Sequence, residues 1–179
     1  MKILFVSLGC DKNLVDSEVM IGLLGKKGFS FTDDETEADV IVINTCCFIN
    51  DAKEESINTI LEMAEYRKSG SCKALVVTGC LAQRYKADLE AEMPEVDCFL
   101  TISDYPKMGQ ILTRVLGEKV LDGYGKNTRL VSTKPWTAYL KIAEGCSNGC
   151  AFCIIPKLRG RYRSRSMDAV LAEARELSQ

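Results

Sequence analysis

The sequence predicts a three-layer α/β domain with a mostly parallel sheet, followed by the start of a second domain. From residue 2 to about 117, apolar runs rich in β-branched residues alternate with segments of helical periodicity. Continuous apolar runs are typical of parallel strands that helices cover on both faces. With 179 residues and 46% hydrophobic content, the chain can bury the core of one such domain and part of another. We expect the α/β domain to span residues 1–117, a linker to span 118–135 and the second domain to span 136–179.

Each predicted strand of the first domain is a short apolar run between polar or helical segments. In chain order the runs are Ile3–Val6, Phe29–Phe31, Val40–Ile43, Ala74–Val77 and Cys98–Leu100. Helices are predicted after the first, third, fourth and fifth runs, where apolar residues are spaced to share one face. Those residues are Val15, Val19 and Leu23; Ile57, Ile60, Leu61 and Ala64; Leu81, Tyr85 and Leu89; and Met108, Ile111, Leu112 and Val115. This alternation predicts a sheet of flavodoxin or Rossmann type.

The prediction of the second domain rests on fewer sequence signals than that of the first. Residues 118–135 interrupt the rhythm with glycines and a proline, which indicates a linker with room for a small hairpin. A strand at Tyr139–Ala143 and a helix that contains Ala169–Leu171, Ala174 and Leu177 frame a cysteine-rich loop. One strand, one loop and one helix cannot bury their own apolar faces, so we expect this domain to be cut off after its first βα unit.

That loop carries the most informative motif of the chain. Cys146, Cys150 and Cys153 have the spacing Cys-x3-Cys-x2-Cys. Three thiolates can hold three irons of a four-iron, four-sulfur (4Fe-4S) cluster and leave the fourth iron without a protein ligand, which indicates chemistry beyond electron transfer. The alternative, a structural zinc site, normally needs a fourth Cys or His, and the chain contains no histidine.

A second cysteine triad follows from the predicted sheet. Cys10, Cys46 and Cys80 each follow the last residue of an apolar strand by three or four positions. Because the carboxyl ends of parallel strands share one edge, we expect these three cysteines to converge and to bind a second cluster. Gly9 and Gly79 precede two of them and would let the backbone approach a cluster closely. The alternative is that each cysteine is a small buried hydrophobe, although burial alone does not favour strand ends.

Several neighbours of this triad are open to two interpretations. Asn13 and Asn44 could donate hydrogen bonds to cluster sulfurs, or serve as a helix cap and a turn residue. Cys47 could replace Cys46 as a ligand, but we expect only one of two adjacent side chains to point at the site, and Cys46 lies right at the strand end.

The remaining candidates outside the triads are expected to be structural. Cys98 is predicted to lie in the core, and Cys72, in a polar turn, to be an exposed thiol. Trp136 and Tyr139 are expected to pack rather than to act as stacking platforms. Five basic residues occupy every second position of one segment. If the segment is extended, their side chains share one side and could contact anionic groups; the alternative is a solvated face without a function. These residues are Lys157, Arg159, Arg161, Arg163 and Arg165.

The two triads and their flanking residues resemble the radical S-adenosylmethionine methylthiotransferases. The similar segments are Ser7–Glu18, Ile43–Cys46, Val77–Tyr85 and Ile154–Gly160. The run from Gly9 to Glu18 is similar to the RimO-type branch, which methylthiolates an aspartate of the twelfth small-subunit ribosomal protein. Cys47 departs from that branch, where glycine is common.

The resemblance implies two 4Fe-4S clusters and S-adenosylmethionine as cofactors. It implies that the cluster at Cys146, Cys150 and Cys153 binds S-adenosylmethionine and generates a 5′-deoxyadenosyl radical, while the other cluster carries the sulfur that is inserted at the aspartate β-carbon. Phe152 and Arg159 would be S-adenosylmethionine contacts. The implied partners are the ribosomal protein or ribosome and a reducing flavodoxin or ferredoxin. As a fragment of such an enzyme, the chain is expected to be inactive alone.

Charge, cysteine content and hydrophobic pattern indicate the cellular compartment and argue against some binding partners. A formal charge of −2 gives no general attraction to nucleic acid, so we expect no direct nucleic-acid binding by this chain. Nine cysteines suit a reducing cytosol better than a disulfide framework, and no apolar run approaches the ~20 residues that span a bilayer. We therefore expect a cytoplasmic protein without a membrane partner.

On the sequence alone, two alternative functions remain open and a third is disfavoured. A transfer-RNA adenosine could replace the aspartate as the methylthiotransferase substrate. A non-catalytic iron–sulfur electron carrier would use the clusters without S-adenosylmethionine. A dinucleotide oxidoreductase would require a Gly-x-Gly-x-x-Gly turn, which the chain lacks.

Overall fold

The structure, a computed structural model, describes residues 1–69, 72–117 and 129–178. The chain divides into two compact units, Met1–Leu130 and Val131–Gln179, which are described separately below. Most of the predicted linker, including the segment with room for a hairpin, lies outside the described residues.

The first unit has the predicted α/β fold. Its five-stranded sheet has the order β2-β1-β3-β4-β5, and every neighbouring pair is parallel. The strands are β1 (Lys2–Ser7), β2 (Ser30–Thr32), β3 (Val40–Thr45), β4 (Ala74–Gly79) and β5 (Cys98–Phe99). The helices are α1 (Asp11–Gly25), α2 (Asn50–Ser69), α3 (Cys80–Glu92) and α4 (Met108–Leu116), with short 3-10 turns at Glu35–Glu37 and Ile102–Lys107. This strand order is that of flavodoxin-like sheets, whose topological switch point lies between β1 and β3.

The core lies on both faces of the two central strands. Every residue of β3 and β4 is buried, as continuous apolar runs predict. Val40 and Val42 face the cluster that α1 and α4 complete with Met20, Leu24 and Leu112. Because side chains alternate along a strand, Ile41 and Ile43 face the opposite side, where α2 and α3 contact β3 and β4.

The buried helix faces differ in part from the predicted ones. In α1, Val15 is buried, but Val19 and Leu23 are only half-buried, because the first half of the helix buries polar residues instead. In α2, Leu61 is 45% exposed and Met63 is buried in its place. The buried stripe of α2 also includes Ser56, a polar residue that an apolar periodicity overlooks.

The predicted core faces of α3 and α4 agree better with the structure. In α3, Leu81 and Leu89 are buried and Tyr85 is half-buried. In α4, Met108 and Leu112 are buried, while Ile111 and Val115 pack against the same core cluster from its margin.

The second unit contains β6 (Ala143–Glu144), α5 (Ile155–Arg159), β7 (Arg163–Ser164) and α6 (Met167–Leu177). The predicted strand at Tyr139–Ala143 is wrong, since only its last residue is in a strand, and that strand pairs antiparallel with β7. Tyr139 and Ile142 are exposed, so they do not form the buried run that a parallel strand needs. The helix predicted near Ala169–Leu177 is confirmed as α6, which Ser166 caps by accepting a hydrogen bond from the Ala169 N–H.

Two further expectations about this unit are wrong. The alternating basic residues do not form an extended stripe, because Lys157 and Arg159 lie in α5, and Gly160, with φ +74°, ends that helix before β7 begins. Trp136 is 77% exposed rather than packed, and the Lys134 ammonium lies 5.5 Å from the centre of its ring. None of the helices in the described ranges is both long and apolar enough to cross a membrane.

Candidate metal centres

Cys10, Cys46 and Cys80 all lie at the carboxyl edge of the sheet. Cys10 is the N-cap of α1, Cys46 directly follows β3, and Cys80 is the first residue of α3 after β4. The pairing of Ser7 with Asn44, and of Thr45 with Gly79, brings the three strand ends to a similar height. The switch point between β1 and β3 is where ligands bind in open parallel sheets, and Cys10 and Cys46 flank it.

The donor chemistry of this edge fits an iron–sulfur cluster. Thiols are the preferred ligands of such clusters, and the N-terminal N–H groups of α1 and α3 beside them favour an anionic group. Cys46 and Cys80 are buried and Cys10 is exposed. Within residues 1–69, 72–117 and 129–178, however, no three or more Cys, Asp or Glu side chains form a group that could hold a metal ion. The three strand ends thus share one edge, and their joint ligation of a cluster stays a prediction.

Gly9 and Gly79 allow the strand ends to approach one another. At Gly9, where φ is +89°, a Cβ atom would lie 2.5 Å from Cys46 Cβ and 2.8 Å from Cys46 Sγ. At Gly79, where φ is +96°, a Cβ atom would lie 2.3 Å from the Thr45 carbonyl oxygen. Both positions therefore require glycine, and in this structure the reason is contact with the next strand end.

The adjacent thiols of Cys46 and Cys47 contact different neighbours. Cys46 lies against Gly9, whereas Cys47 Sγ donates to the Cys80 carbonyl oxygen at 3.2 Å. Burial raises the pKa of Cys47, although the charge of Arg84 opposes this shift. Both thiols thus lie beside segments that carry a predicted ligand, and Cys47 stays an alternative to Cys46.

Asn13 joins the ends of β1 and β3. Its Nδ2 donates to the Leu8 and Thr45 carbonyl oxygens at 3.0 and 2.9 Å, and its Oδ1 accepts from Cys80 Sγ at 3.7 Å. It is fully buried in the first turn of α1, so the helix-cap interpretation is wrong. Asn13 instead links all three strand ends, since it contacts Leu8 after β1, Thr45 at the end of β3 and Cys80 after β4.

Asn44 fixes the same turn of α1 from within β3. Its Nδ2 donates to the Asn13 carbonyl oxygen and to Ser17 Oγ, both at 2.9 Å. The residue is fully buried inside the strand, so the turn interpretation is wrong. Both asparagines therefore hold the backbone that carries Cys10 and Cys46.

Ser56 is a site residue that the sequence did not reveal. The Cys46 N–H donates to Ser56 Oγ at 2.9 Å, and the Ser56 hydroxyl donates back to the Cys46 carbonyl oxygen at 2.8 Å. A serine inside a helix usually indicates a solvent-facing position. Its spacing of four residues from buried Ile60 was the one signal that could have identified it.

The predicted thiols outside the triads lie in different surroundings. Cys72, expected to be exposed, is buried just before β4, where its Sγ donates to the Ala74 carbonyl oxygen at 3.3 Å. Burial raises its pKa, so it is held as a neutral thiol. Cys98 is half-buried in β5 and packs against the core cluster, close to its predicted place.

The second triad lies in the loop between β6 and α5. Cys150 is exposed, and Cys146 and Cys153 are half-buried. The Cys146 N–H donates to the Gly160 carbonyl oxygen at 3.0 Å, and the Cys153 N–H donates to that of Cys150 at 3.1 Å. Phe152, between the last two cysteines, is 94% exposed.

Charged residues surround the base of this loop. Glu144 lies 3.0 Å from Lys141 Nζ and 3.2 Å from Arg159 Nη1. Burial acts to raise the pKa of Glu144, but the charge and hydrogen bond of Lys141 and the charge of Arg159 hold that pKa below its ordinary value. The carboxylate is therefore ionised near neutral pH.

Comparison with known proteins gives one family match and a set of similar curated proteins. A family model described as "Uncharacterized protein family UPF0004" matches residues 2–101. The chain is 57% identical to "Ribosomal protein uS12 methylthiotransferase RimO" of Lachnoclostridium phytofermentans, over 100% of the chain and 42% of that protein. Proteins of the same name from Geobacter sulfurreducens and Pelotomaculum thermopropionicum are 51% and 53% identical, over 98% and 99% of the chain and 41% and 42% of their own lengths. The chain thus spans about two fifths of the length of these relatives.

Proposed function

This chain belongs to the UPF0004 family, and we propose that it is the cluster-binding part of a radical S-adenosylmethionine methylthiotransferase, a proposal that its similarity to the RimO proteins supports. The observation that carries the proposal is the common position of Cys10, Cys46 and Cys80 at the switch-point edge of the sheet. A chain with only the loop triad would suit many radical enzymes, whereas the methylthiotransferases that this chain resembles have a second three-cysteine cluster, which carries the sulfur to be inserted.

In this proposal each triad holds one 4Fe-4S cluster. When bound, the two clusters and S-adenosylmethionine would supply the radical and the methylthio group. The protein's own contribution is placement: Asn13, Asn44 and Ser56 fix the strand ends that carry the first triad. Such fixed surroundings keep ligands oriented and exclude alternative geometries.

Of the two candidate contacts for S-adenosylmethionine, exposure supports Phe152 more than Arg159. Its ring is almost fully exposed beside Cys153, so it can cover a bound ligand. Arg159, the other candidate, is 4% exposed, and its guanidinium lies against Glu144. To bind the carboxylate of S-adenosylmethionine directly, Arg159 would have to contact it while remaining paired with Glu144.

The proposed substrate is an aspartate in a loop of the ribosomal protein uS12. The relatives' name supports it, as does the run Gly9–Glu18, which resembles the RimO-type branch. The proposed electron donor is a reduced flavodoxin or ferredoxin.

The test uses a strain that lacks the full-length gene. Mass spectrometry of its uS12 should show loss of the methylthio modification, while liquid chromatography of transfer-RNA nucleosides should show methylthio-adenosines unchanged. Loss of the methylthio-adenosines with uS12 still modified would assign the chain to the transfer-RNA branch. No change in either product would favour the electron carrier.

A further inference from the structure

One ion pair joins the two ends of the loop that carries Cys146, Cys150 and Cys153. Glu144 ends β6 just before this loop, and Arg159 ends α5 just after it. Arg159 Nη1 donates to Glu144 Oε2 at 3.2 Å, and the two side chains are 2% and 18% exposed. The pair therefore lies at the base of the loop and largely out of solvent.

Backbone contacts connect the same two ends. The Cys146 N–H of the entering chain donates to the Gly160 carbonyl oxygen of the leaving chain at 3.0 Å. Within the entering chain, Glu144 Oε1 accepts from the Gly145 N–H at 3.1 Å. Gly145 has φ +74°, and a Cβ atom there would lie 2.5 Å from the Gly160 carbonyl oxygen and 2.4 Å from that of Arg161. The chain entering the loop thus lies directly on the chain leaving it.

Arg159 differs from three of the other four basic residues of its run, while the fourth, Arg165, is half-buried and pairs with Glu173. Lys157, Arg161 and Arg163 are exposed, as a solvated face would be, whereas Arg159 is buried. A buried guanidinium needs a charged partner, and Glu144 provides one. Because Arg159 is buried and paired with Glu144, its role is to stabilise the protein's own structure rather than to bind an external anion.

We propose that Glu144 and Arg159 are positioning residues that close the base of the cysteine loop and so hold Cys146 in place before iron binds. The inference rests on the proposed function, in which this loop ligates a cluster. Closing the ends of a flexible segment removes loop entropy in advance, so the cluster does not have to overcome that cost when it forms. Arg159 acts through Glu144, whose carboxylate also orients the Gly145 N–H next to Cys146.

The first test needs no iron. In the full, iron-free chain, iodoacetamide labelling of each cysteine is followed by mass spectrometry. The wild-type chain should label Cys150 faster than Cys146, because Cys150 is exposed and Cys146 is half-buried and hydrogen-bonded through its N–H. In the Arg159→Leu and Glu144→Gln variants, Cys146 should be labelled roughly tenfold faster than in wild type. That factor corresponds to about 1.4 kcal/mol less free energy holding Cys146 in its protected position.

The second test measures the cluster itself in a Cys10→Ala, Cys46→Ala, Cys80→Ala background. Arg159→Leu should retain less iron per chain after anaerobic reconstitution and gel filtration and should alter the electron paramagnetic resonance spectrum of the reduced cluster. Arg159→Lys, which keeps the charge beside Glu144, should restore part of the iron and of the Cys146 protection. Glu173→Gln is the matched control, because it breaks the Arg165–Glu173 pair of the same unit, whose two residues both follow the loop.

The outcomes separate the inference from the proposed function. Unchanged Cys146 labelling in both Arg159→Leu and Glu144→Gln would overturn the inference whatever the iron content. If Arg159→Leu fails to fold by circular dichroism, Glu144→Gln decides alone, since it keeps the side-chain size and the acceptor for Gly145. A background protein that binds no iron would count against the proposed cluster, while the labelling result would still stand.

Discussion

At the residue scale, the position of Cys46 depends on a side chain from another element. Ser56 forms two hydrogen bonds with the Cys46 backbone, one in each direction, and is itself fully buried. Removing the hydroxyl leaves a buried N–H and a buried carbonyl without that partner, which is more costly than losing an exposed hydrogen bond.

Ser56→Ala should therefore lower the free energy of unfolding by about 1–3 kcal/mol in urea titrations. The matched control is Ser69→Ala, which removes a hydroxyl bond to the Glu65 carbonyl oxygen at the exposed end of the same helix. Equal effects of the two substitutions would show that Ser56 does not support the Cys46 segment.

Gly9 offers a second residue-scale prediction with an internal control. Gly9→Ala combines a positive φ with a clash against Cys46, whereas Gly28→Ala has a similar φ of +85° and nothing within 4 Å of its Cβ. Gly28→Ala should cost about 1–2 kcal/mol, the strain of a left-handed alanine. Gly9→Ala should cost more than Gly28→Ala in the same urea titration and should also lower iron uptake. Equal costs and equal iron would contradict the close approach of Gly9 and Cys46.

The sequence identified the cysteines of the two triads as ligand candidates, but it did not show the contacts that hold them in place. Cysteines after apolar strands stand out by type and position, since parallel strand ends share an edge. The sequence singled out Asn13, but as a donor to cluster sulfurs or a helix cap rather than as a link between strand ends. Ser56 and Glu144 do not stand out, because apolar periodicity treats a buried polar residue as a solvent-facing one. Only their three-dimensional partners, a carbonyl across the sheet edge or an arginine across a loop, distinguish them.

At the element scale, strands buried on both faces were predictable and marginal strands were not. β3 and β4 follow from continuous apolar runs, because a parallel sheet covered by helices leaves no polar face. β6 consists of two half-buried residues, so its extent depends on pairing with β7, which lies beyond the cysteine loop. Such pairing has no local signal in composition.

The amino ends of three strands meet at one carboxylate. Asp39, just before β3, accepts the Lys2 N–H of β1 at 2.8 Å and lies 3.1 Å from Lys73 Nζ, just before β4. The hydrogen bond from Lys2, more than the contact with Lys73, lowers the pKa of Asp39, although burial acts in the opposite direction. Because the folded pKa lies below the unfolded one, this stabilisation is complete above the unfolded pKa and is lost as pH falls through the folded pKa.

Asp39→Asn should therefore destabilise the protein by about 1 kcal/mol near neutral pH. The difference from wild type should shrink in urea titrations below about pH 4, the ordinary range of an aspartate. Asp33→Asn, at an exposed position, is the control and should change little at either pH. A difference for Asp39→Asn that is the same at both pH values would contradict this role.

At the scale of the whole molecule, the two triads belong to separate units. Cys10, Cys46 and Cys80 lie in Met1–Leu130, and the loop triad lies in Val131–Gln179. Two clusters of equal nuclearity should therefore load independently. The Cys10→Ala, Cys46→Ala, Cys80→Ala triple variant should bind about half the iron of wild type after anaerobic reconstitution.

The control for that experiment is Cys72→Ala. Cys72 is buried at the opposite end of β4 from Cys80, so its loss removes a thiol without touching the proposed site. Unchanged iron in the triple variant, or an equal loss in Cys72→Ala, would reject the first site.

The second unit also limits what the 179-residue chain can do by itself. Barrel enzymes gather their binding residues from the loops of several successive parallel strands. Among the described residues of the second unit the only strand pair is the two-residue antiparallel pair of β6 and β7. α6 has no buried residue, and its Met167 and Leu171 are 70% and 44% exposed. This arrangement supplies cluster ligands but little surface to orient S-adenosylmethionine against them.

The 179-residue chain, reconstituted anaerobically and given dithionite and S-adenosylmethionine, should therefore form no 5′-deoxyadenosine above the level of a protein-free control. Orientation of the reacting groups supplies much of an enzyme's rate enhancement, so bound iron without an ordered ligand site should not suffice. Iron content measured on the same sample separates failed loading from failed turnover, and a full-length relative serves as the positive control. Formation of 5′-deoxyadenosine at a rate similar to that of the relative would contradict this prediction. It would show that the segment from β6 to α6 by itself holds S-adenosylmethionine in a reactive position.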